Sequence, residues 1–380
     1  VSVEGLRGVG KTTTSQRLAA TTFMLDRPAN AALFEADAFA AVEGHPSPVL
    51  LDEWQSVPSV WDAVRRSVDR DPTAGRFLLC GSSRATVQAA RHSGAGRIAS
   101  IEMRPMTLSE RSGAAPGVSL NALLEHGTDV LPGPQVAYST AAQRALTERA
   151  GLPGLLHLDD SAHAMQLEAY LRSVLSADPQ LIDGVDRSAS RLWRYITAYA
   201  ACVGTNTAHS TIYNAAGLSN ATAADYHDVL SRLGLILELP AFWSNTLKSL
   251  AKAPKRHLAD AALAAAPIAR AHRDHGRLWE NVVVAQLRAV AEATVDRPTL
   301  THLRTANGRQ EVDLLISDHS GSIVAVEAKL GSTVDASDTK HLRWLRDRVP
   351  EVACGIVVHP GERCVQLGDG IAAVPLAAIA

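Results

Sequence analysis

The chain has 380 residues, enough for two or three domains that each bury a core. A hydrophobic fraction of 46% with 20% charged residues excludes a disordered chain. With 37 Lys and Arg against 39 Asp and Glu, the net charge of −2 excludes a global positive field for nucleic acid.

Cys80, Cys202, Cys354 and Cys364 lie far apart without C-x-x-C spacing, against a disulfide frame or zinc site and in keeping with a reducing cytoplasm. No apolar run reaches ~18 residues, so no membrane span is expected.

The first five residues, Val1 to Gly5, read as a short strand with Val1 and Val3 buried. The stretch Gly5-Leu6-Arg7-Gly8-Val9-Gly10-Lys11-Thr12 fits the phosphate-loop pattern G-x-x-x-x-G-K-[ST], and a helix follows it. Glycines let backbone N–H groups close around phosphates, and the helix start adds its positive dipole end. The predicted phosphate contacts are Gly5, Gly8, Val9, Gly10, Lys11, Thr12 and Thr13. Lys11 would reach the β- and γ-phosphates as part of the catalytic machinery, and the Thr12 hydroxyl would bind Mg²⁺.

The apolar run of residues 48–51 closes on Asp52-Glu53, as a buried parallel strand would. Ligands sit at the carboxyl ends of such strands, so Asp52 suits the Mg²⁺ shell and Glu53 a base for the attacking water. The run Arg76 to Ser83 predicts another strand. Ser82 or Ser83 would then sense the γ-phosphate, or simply form a Gly-Ser turn. Arg97 precedes a fifth strand and would be either a charge-stabilising finger, in cis or towards a second subunit, or a solvated surface arginine.

Phosphate loop, "LLDEWQ", "LLCGSS" and "GRIASIEMRPMTLSE" together resemble the bacterial AAA-type ATPases that carry a C-terminal domain of unknown function. The resemblance implies ATP as the nucleotide. It also implies a tail with a winged-helix segment and a fold similar to restriction endonucleases. Family members usually carry a further segment before the first strand that helps cover the adenine, so a truncated or misassigned start is expected here.

Residues 112–135 are rich in Gly and Pro and predict a linker around one short helix. Gly151 and Pro153 resemble the turn that leads into the helical lid of related ATPases, or form an ordinary helix-ending turn. Residues 165–203 show helical spacing. From His209 the cadence predicts a helix-turn-helix with a following wing: Gly217 turns, Ser219 or Asn220 caps, and Tyr226, Val229, Leu230 and Leu233 are buried. Asp225 and Asp228 against a lone Arg232 favour internal packing or protein contact over DNA readout. Lys248, Lys252, Lys255 and Arg256 form the basic cluster nearby.

Two alternating runs flank Asp318-His319-Ser320-Gly321-Ser322 and predict an antiparallel hairpin. A turn centred on Ser320 sets Asp313 opposite Glu327 and Glu311 opposite Lys329, with Val312, Leu314, Ile316, Val324 and Val326 on the other face. Like charges face to face destabilise a strand pair unless a cation joins them. A metal shared by Asp313 and Glu327 is therefore expected, with Lys329 beside it as a catalytic group. Without metal, Asp313→Asn should stabilise slightly. The constellation resembles the PD-(D/E)XK nucleases, in which Glu280 on an upstream helix would be a further metal ligand. A plain surface ion pair of Glu311 with Lys329 is the alternative. From residue 272 onward 12 Lys and Arg stand against 14 Asp and Glu, so no basic trough is evident.

The predicted architecture is an α/β phosphate-loop domain with a parallel sheet (1–112), a linker and helical lid (113–204), a winged-helix-like segment (205–268) and a small α/β nuclease-like domain (269–380). ATP with Mg²⁺ is the expected ligand. Nucleic acid at the C-terminal domain, a protein partner or a second copy are the other expected partners, and no membrane is. Rival readings are an ATP-gated nuclease and a nucleotide-dependent binding switch.

Overall fold

The computed structural model describes residues 1–81, 94–131, 138–243, 247, 253–268, 272–306, 308–331 and 333–380, without the side chains of residues 181 and 336. Ser82, Ser83, Lys248 and Lys252 lie outside the described residues.

The first unit runs β1 (Ser2–Glu4), α1 (Lys11–Leu18), β2 (Thr21–Met24), α2 (Pro28–Val42), β3 (Val49–Asp52), α3 (Ser59–Arg70), β4 (Phe77–Cys80) and β5 (Ser100–Glu102). Its five strands form a parallel sheet in the order β2-β3-β4-β1-β5. The two-residue period of a strand sorts the sheet's faces. Val49, Leu51, Phe77 and Leu79 pack with Phe34 and Val42 of α2 and Val60 and Val64 of α3. Asp52 and Cys80, which pair across the ladder, face α1, where the Ser15 hydroxyl meets Cys80 Sγ at 3.0 Å.

That sorting corrects the reading of β1. Ser2 pairs with Leu79 and is fully buried, whereas Val1 and Val3 are half-buried. The valines lie on the side of α1, an eight-residue helix of mainly polar sequence that covers its face incompletely.

Next come α4 (Leu108–Ser112), α5 (Leu120–His126) and α6 (Thr140–Arg144). The expected linker is instead part of the C-terminal core. Val118, Leu120, Leu123 and Leu124 are buried against Leu314, Ile316, Val324 and Val326, and Ser322 Oγ donates to Leu124 O at 2.6 Å. The i, i+3, i+4 leucines of α5 give it an apolar stripe that outweighs the surrounding Gly and Pro.

The helical middle comprises α7 (Asp160–Asp183), α8 (Ala189–Ala200), α9 (His209–Ala215) and α10 (Asn220–Arg232), then an antiparallel pair of β6 (Ile236–Leu239) and β7 (Lys255–Leu258). Gly217 makes the α9–α10 turn at φ 62°, the Ser219 side chain caps α10, and Tyr226, Val229, Leu230 and Leu233 are buried. The basic cluster is corrected: Lys255 and Arg256 lie within β7 and are buried.

The last unit contains α11 (His275–Ala293), β8 (Thr299–Arg304), β9 (Glu311–Ser317), β10 (Ile323–Ala328), α12 (Lys340–Arg346), β11 (Val352–His359), β12 (Val365–Gly368) and β13 (Ile371–Pro375). They build a mixed six-stranded sheet in the order β12-β13-β11-β10-β9-β8. β9 and β10 pair antiparallel with Leu314 against Val326 and Ser317 against Ile323, the register that a turn centred on Ser320 sets. Both faces are covered, one by α5 and α11 and the other by α12, so Leu315, Ile323 and Ala325 are buried as well. Among the described residues, no helix is long and apolar enough to cross a membrane.

Candidate functional site

The carboxyl ends of β1 and β3 meet beside α1. Gly5 leaves β1 at φ 134°, and a Cβ there would lie 2.2 Å from Met103 O, so only glycine fits. Gly10 caps α1 in the left-handed conformation at φ 100°. Lys11 is buried, and its ammonium donates to Gly5 O at 2.9 Å and Leu6 O at 3.0 Å. Those neutral acceptors hold the charge inside the loop without cancelling it.

Thr12 Oγ1 donates to both carboxylate oxygens of Asp52, at 2.9 and 3.1 Å. A hydroxyl and a carboxylate in contact are the two oxygen ligands a phosphate-loop Mg²⁺ takes, so these residues fit the ion. Glu53 follows at φ 51° and accepts a hydrogen bond from Gln55 Nε2. Burial raises the pKa of both Asp52 and Glu53 and lowers that of Lys11. Gly8 and Thr13 are exposed, whereas Val9 is fully buried in the helical core together with Leu6.

The sequence does not reveal how the loop is clamped. Tyr170 of α7 donates its hydroxyl to Arg7 O at 2.8 Å, and the Arg7 guanidinium meets the buried Asp178 carboxylate at 2.6 Å. Pro153 lies 3.6 Å from where a Gly10 Cβ would stand, so the turn at residues 151–153 does reach the loop. These contacts span more than 140 residues, and no local pattern announces them.

Ser82 cannot be placed, since it falls outside the described residues. Arg97 is exposed and bonded to Asp69 ahead of β5. The parallel register of β1 and β5 puts it at the amino edge of the sheet, opposite the loop. This corrects the finger reading in cis.

A second cluster forms at the C-terminal sheet. Glu280 from α11 and Glu311 and Asp313 from β9 converge on one group that the sequence did not suggest, the Lys255 ammonium. Its Nζ lies 2.8 Å from Glu280 Oε1, 2.9 Å from Glu311 Oε1 and 2.8 Å from Asp313 Oδ1, and the side chain is 1% exposed. Asp313 also accepts from Ala328 N at 3.0 Å. Lys329 does not pair with Glu311; it turns to Asp338 at 3.4 Å, because β10 ends at Ala328.

Burial would raise the Asp313 carboxyl, but the ammonium and hydrogen bonds outweigh it and hold its pKa low. Burial and the Asp313 charge push Glu280 up to about 8 and Glu327 well above the usual range. The buried His257 is pushed down to about 3 by burial and then by Lys255, so it is neutral. Metal shared by Asp313 and Glu327 does not fit this arrangement, because Asp313 is already bonded to the Lys255 ammonium. No group of three or more His, Cys, Asp or Glu poised for a metal occurs among the described residues.

Comparison with known proteins places an AAA domain over residues 1–112 and two domains of unknown function, DUF8612 over residues 141–272 and DUF4143 over residues 275–379. Two relatives are uncharacterized proteins of Mycobacterium bovis and Mycobacterium tuberculosis. Each is 26% identical over 388 residues, covering 99% of this chain and 79% of its own. The chain thus carries an AAA domain over residues 1–112 and a domain of unknown function (DUF4143) over residues 275–379.

Proposed function

We propose that the chain binds ATP with Mg²⁺ at the phosphate loop and hydrolyses it in the cytoplasm. The observation that carries this reading is the Thr12–Asp52 contact directly above a buried Lys11, with Glu53 next in sequence. Gly5, Gly8, Val9, Gly10 and Thr13 supply the loop and its backbone donors, and Lys11 exchanges its two carbonyl partners for β- and γ-phosphate oxygens. Thr12 and Asp52 would hold the metal, which when bound would neutralise charge on the phosphates. Glu53 orients the attacking water and takes its proton.

The test is steady-state turnover. Glu53→Gln should keep ATP affinity while turnover falls on the order of 10², the typical contribution of a positioned base. Unchanged turnover would assign Glu53 to structure.

A second reading, a nucleotide-dependent contact switch, is supported by the clamp on the loop. Arg7 bonds to Tyr170 and Asp178 of α7, and Pro153 in the turn before it lies close to Gly10, so occupancy of the loop bears on the helical middle. The α9–α10 turn and the β6–β7 pair fit a winged helix used for packing. Asp225 of α10 is tied to Arg187 and Asp228 to Arg232, so among the described residues α10 itself does not present a basic face. The mixed C-terminal sheet fits a nuclease-like domain, and a protein partner or second copy suits it better than nucleic acid.

A further inference from the structure

We propose that Lys255 is the built-in counter-cation of the C-terminal carboxylate cluster: its ammonium stands where a divalent cation would gather Glu280, Glu311 and Asp313, and closes the cleft to metal.

An ammonium has three N–H donors and no acceptor, and Lys255 has three carboxylate oxygens within 2.9 Å. The contact to Asp313 is a charge-assisted N–H···O⁻ hydrogen bond of 2.8 Å, and those to Glu280 and Glu311 are ion pairs of 2.8 and 2.9 Å. Mg²⁺ asks for about 2.0–2.1 Å and Ca²⁺ for about 2.3–2.6 Å. The oxygens are spaced for nitrogen.

The ammonium is also held in place. Lys255 opens β7, paired with Leu239 of β6, and its side chain is 1% exposed. Removing a buried charge from its partners is strongly unfavourable, so an incoming metal would have to share the cluster with an ammonium about 3 Å away. The cleft above is open, about 430 Å³, and lined by Arg277, Lys329 and His341 besides the carboxylates. Access is therefore not what excludes a cation. Glu327 Oε1 remains buried there without a hydrogen-bond partner, an oxygen that a metal would satisfy and the lysine does not reach.

Mn²⁺ titration of the full, nucleotide-free chain, read by the paramagnetic signal of the free ion, tests the proposal. Any Mn²⁺ at the phosphate loop is common to all variants below. Wild type and Asp313→Asn should bind alike, within twofold. Lys255→Met, which keeps the stem and removes the charge, should gain one site that Lys255→Met with Asp313→Asn loses at least tenfold. A wild-type site weakened tenfold by Asp313→Asn overturns the proposal, and so does a folded Lys255→Met that gains none. Should Lys255→Met not fold, the wild-type comparison decides alone, with Glu311→Gln replacing Asp313→Asn if that variant fails too.

Discussion

Lys11 and Lys255 are both buried, and their partners set them apart. Lys11 donates to two backbone carbonyls, which leaves its charge available, and burial lowers its pKa. Lys255 is enclosed by three carboxylates that outweigh burial and raise its pKa well above the ordinary value. One lysine waits for an anion, and the other already has its own. Glu53, the base proposed above, is expected to set the pH dependence of the first site. Burial raises its pKa, and a base must be ionised to act, so turnover should fall as pH drops through that raised value. A pH–rate profile of wild type beside Glu53→Gln checks this: the acidic limb should vanish in the variant, and a limb present in both would assign it to another group. Lys11 with Thr12 and Asp52 with Glu53 were legible in the sequence as two adjacent pairs, one opening α1 and the other at the end of β3. Lys255 was not, since its nearest carboxylate partner is 25 residues away and nothing local marks it as buried.

At the scale of elements, the β9–β10 hairpin shows how far a sequence pattern carries. Alternation and the turn residues fixed its register, and Glu280 does join Asp313 at one ammonium. The pattern could not show that β7 brings a lysine to Asp313, and this reverses the effect expected from Asp313 facing Glu327. Two carboxylates forced together would make Asp313→Asn slightly stabilising. With Lys255 and the Ala328 N–H both bonded to Asp313, the change should instead cost about 1.5–3 kcal/mol, the range for hydrogen bonds to charged groups. Denaturant unfolding in saturating Mg·ATP measures it, and a stabilised variant would contradict the ion-pair description. The segment of α5 was misread for a related reason. Gly and Pro around it suggested a linker, but a short leucine stripe needs only an apolar surface to dock on, and the C-terminal sheet provides one.

Across the whole molecule the phosphate loop lies where the AAA domain meets the rest of the chain. Leu6 and Val9 belong to the helical core, and Gly151 N donates to the buried Asp260 at 2.7 Å. Arg104, just beyond β5, forms a two-pronged bond with Glu292 of α11, 2.9 Å on each side. A nucleotide that moves the loop therefore pushes on packed residues of the helical middle, while the Arg104 bridge ties the same sheet to the C-terminal domain. All of this depends on nucleotide entering the loop through its phosphates. Calorimetric titration of Mg·ATP into wild type and Lys11→Ala tests that claim most directly. The account predicts a saturable site in wild type and at least a hundredfold loss of affinity in the variant, the factor that ~3 kcal/mol from a charge-assisted phosphate contact represents. Equal affinity in the two proteins would contradict it.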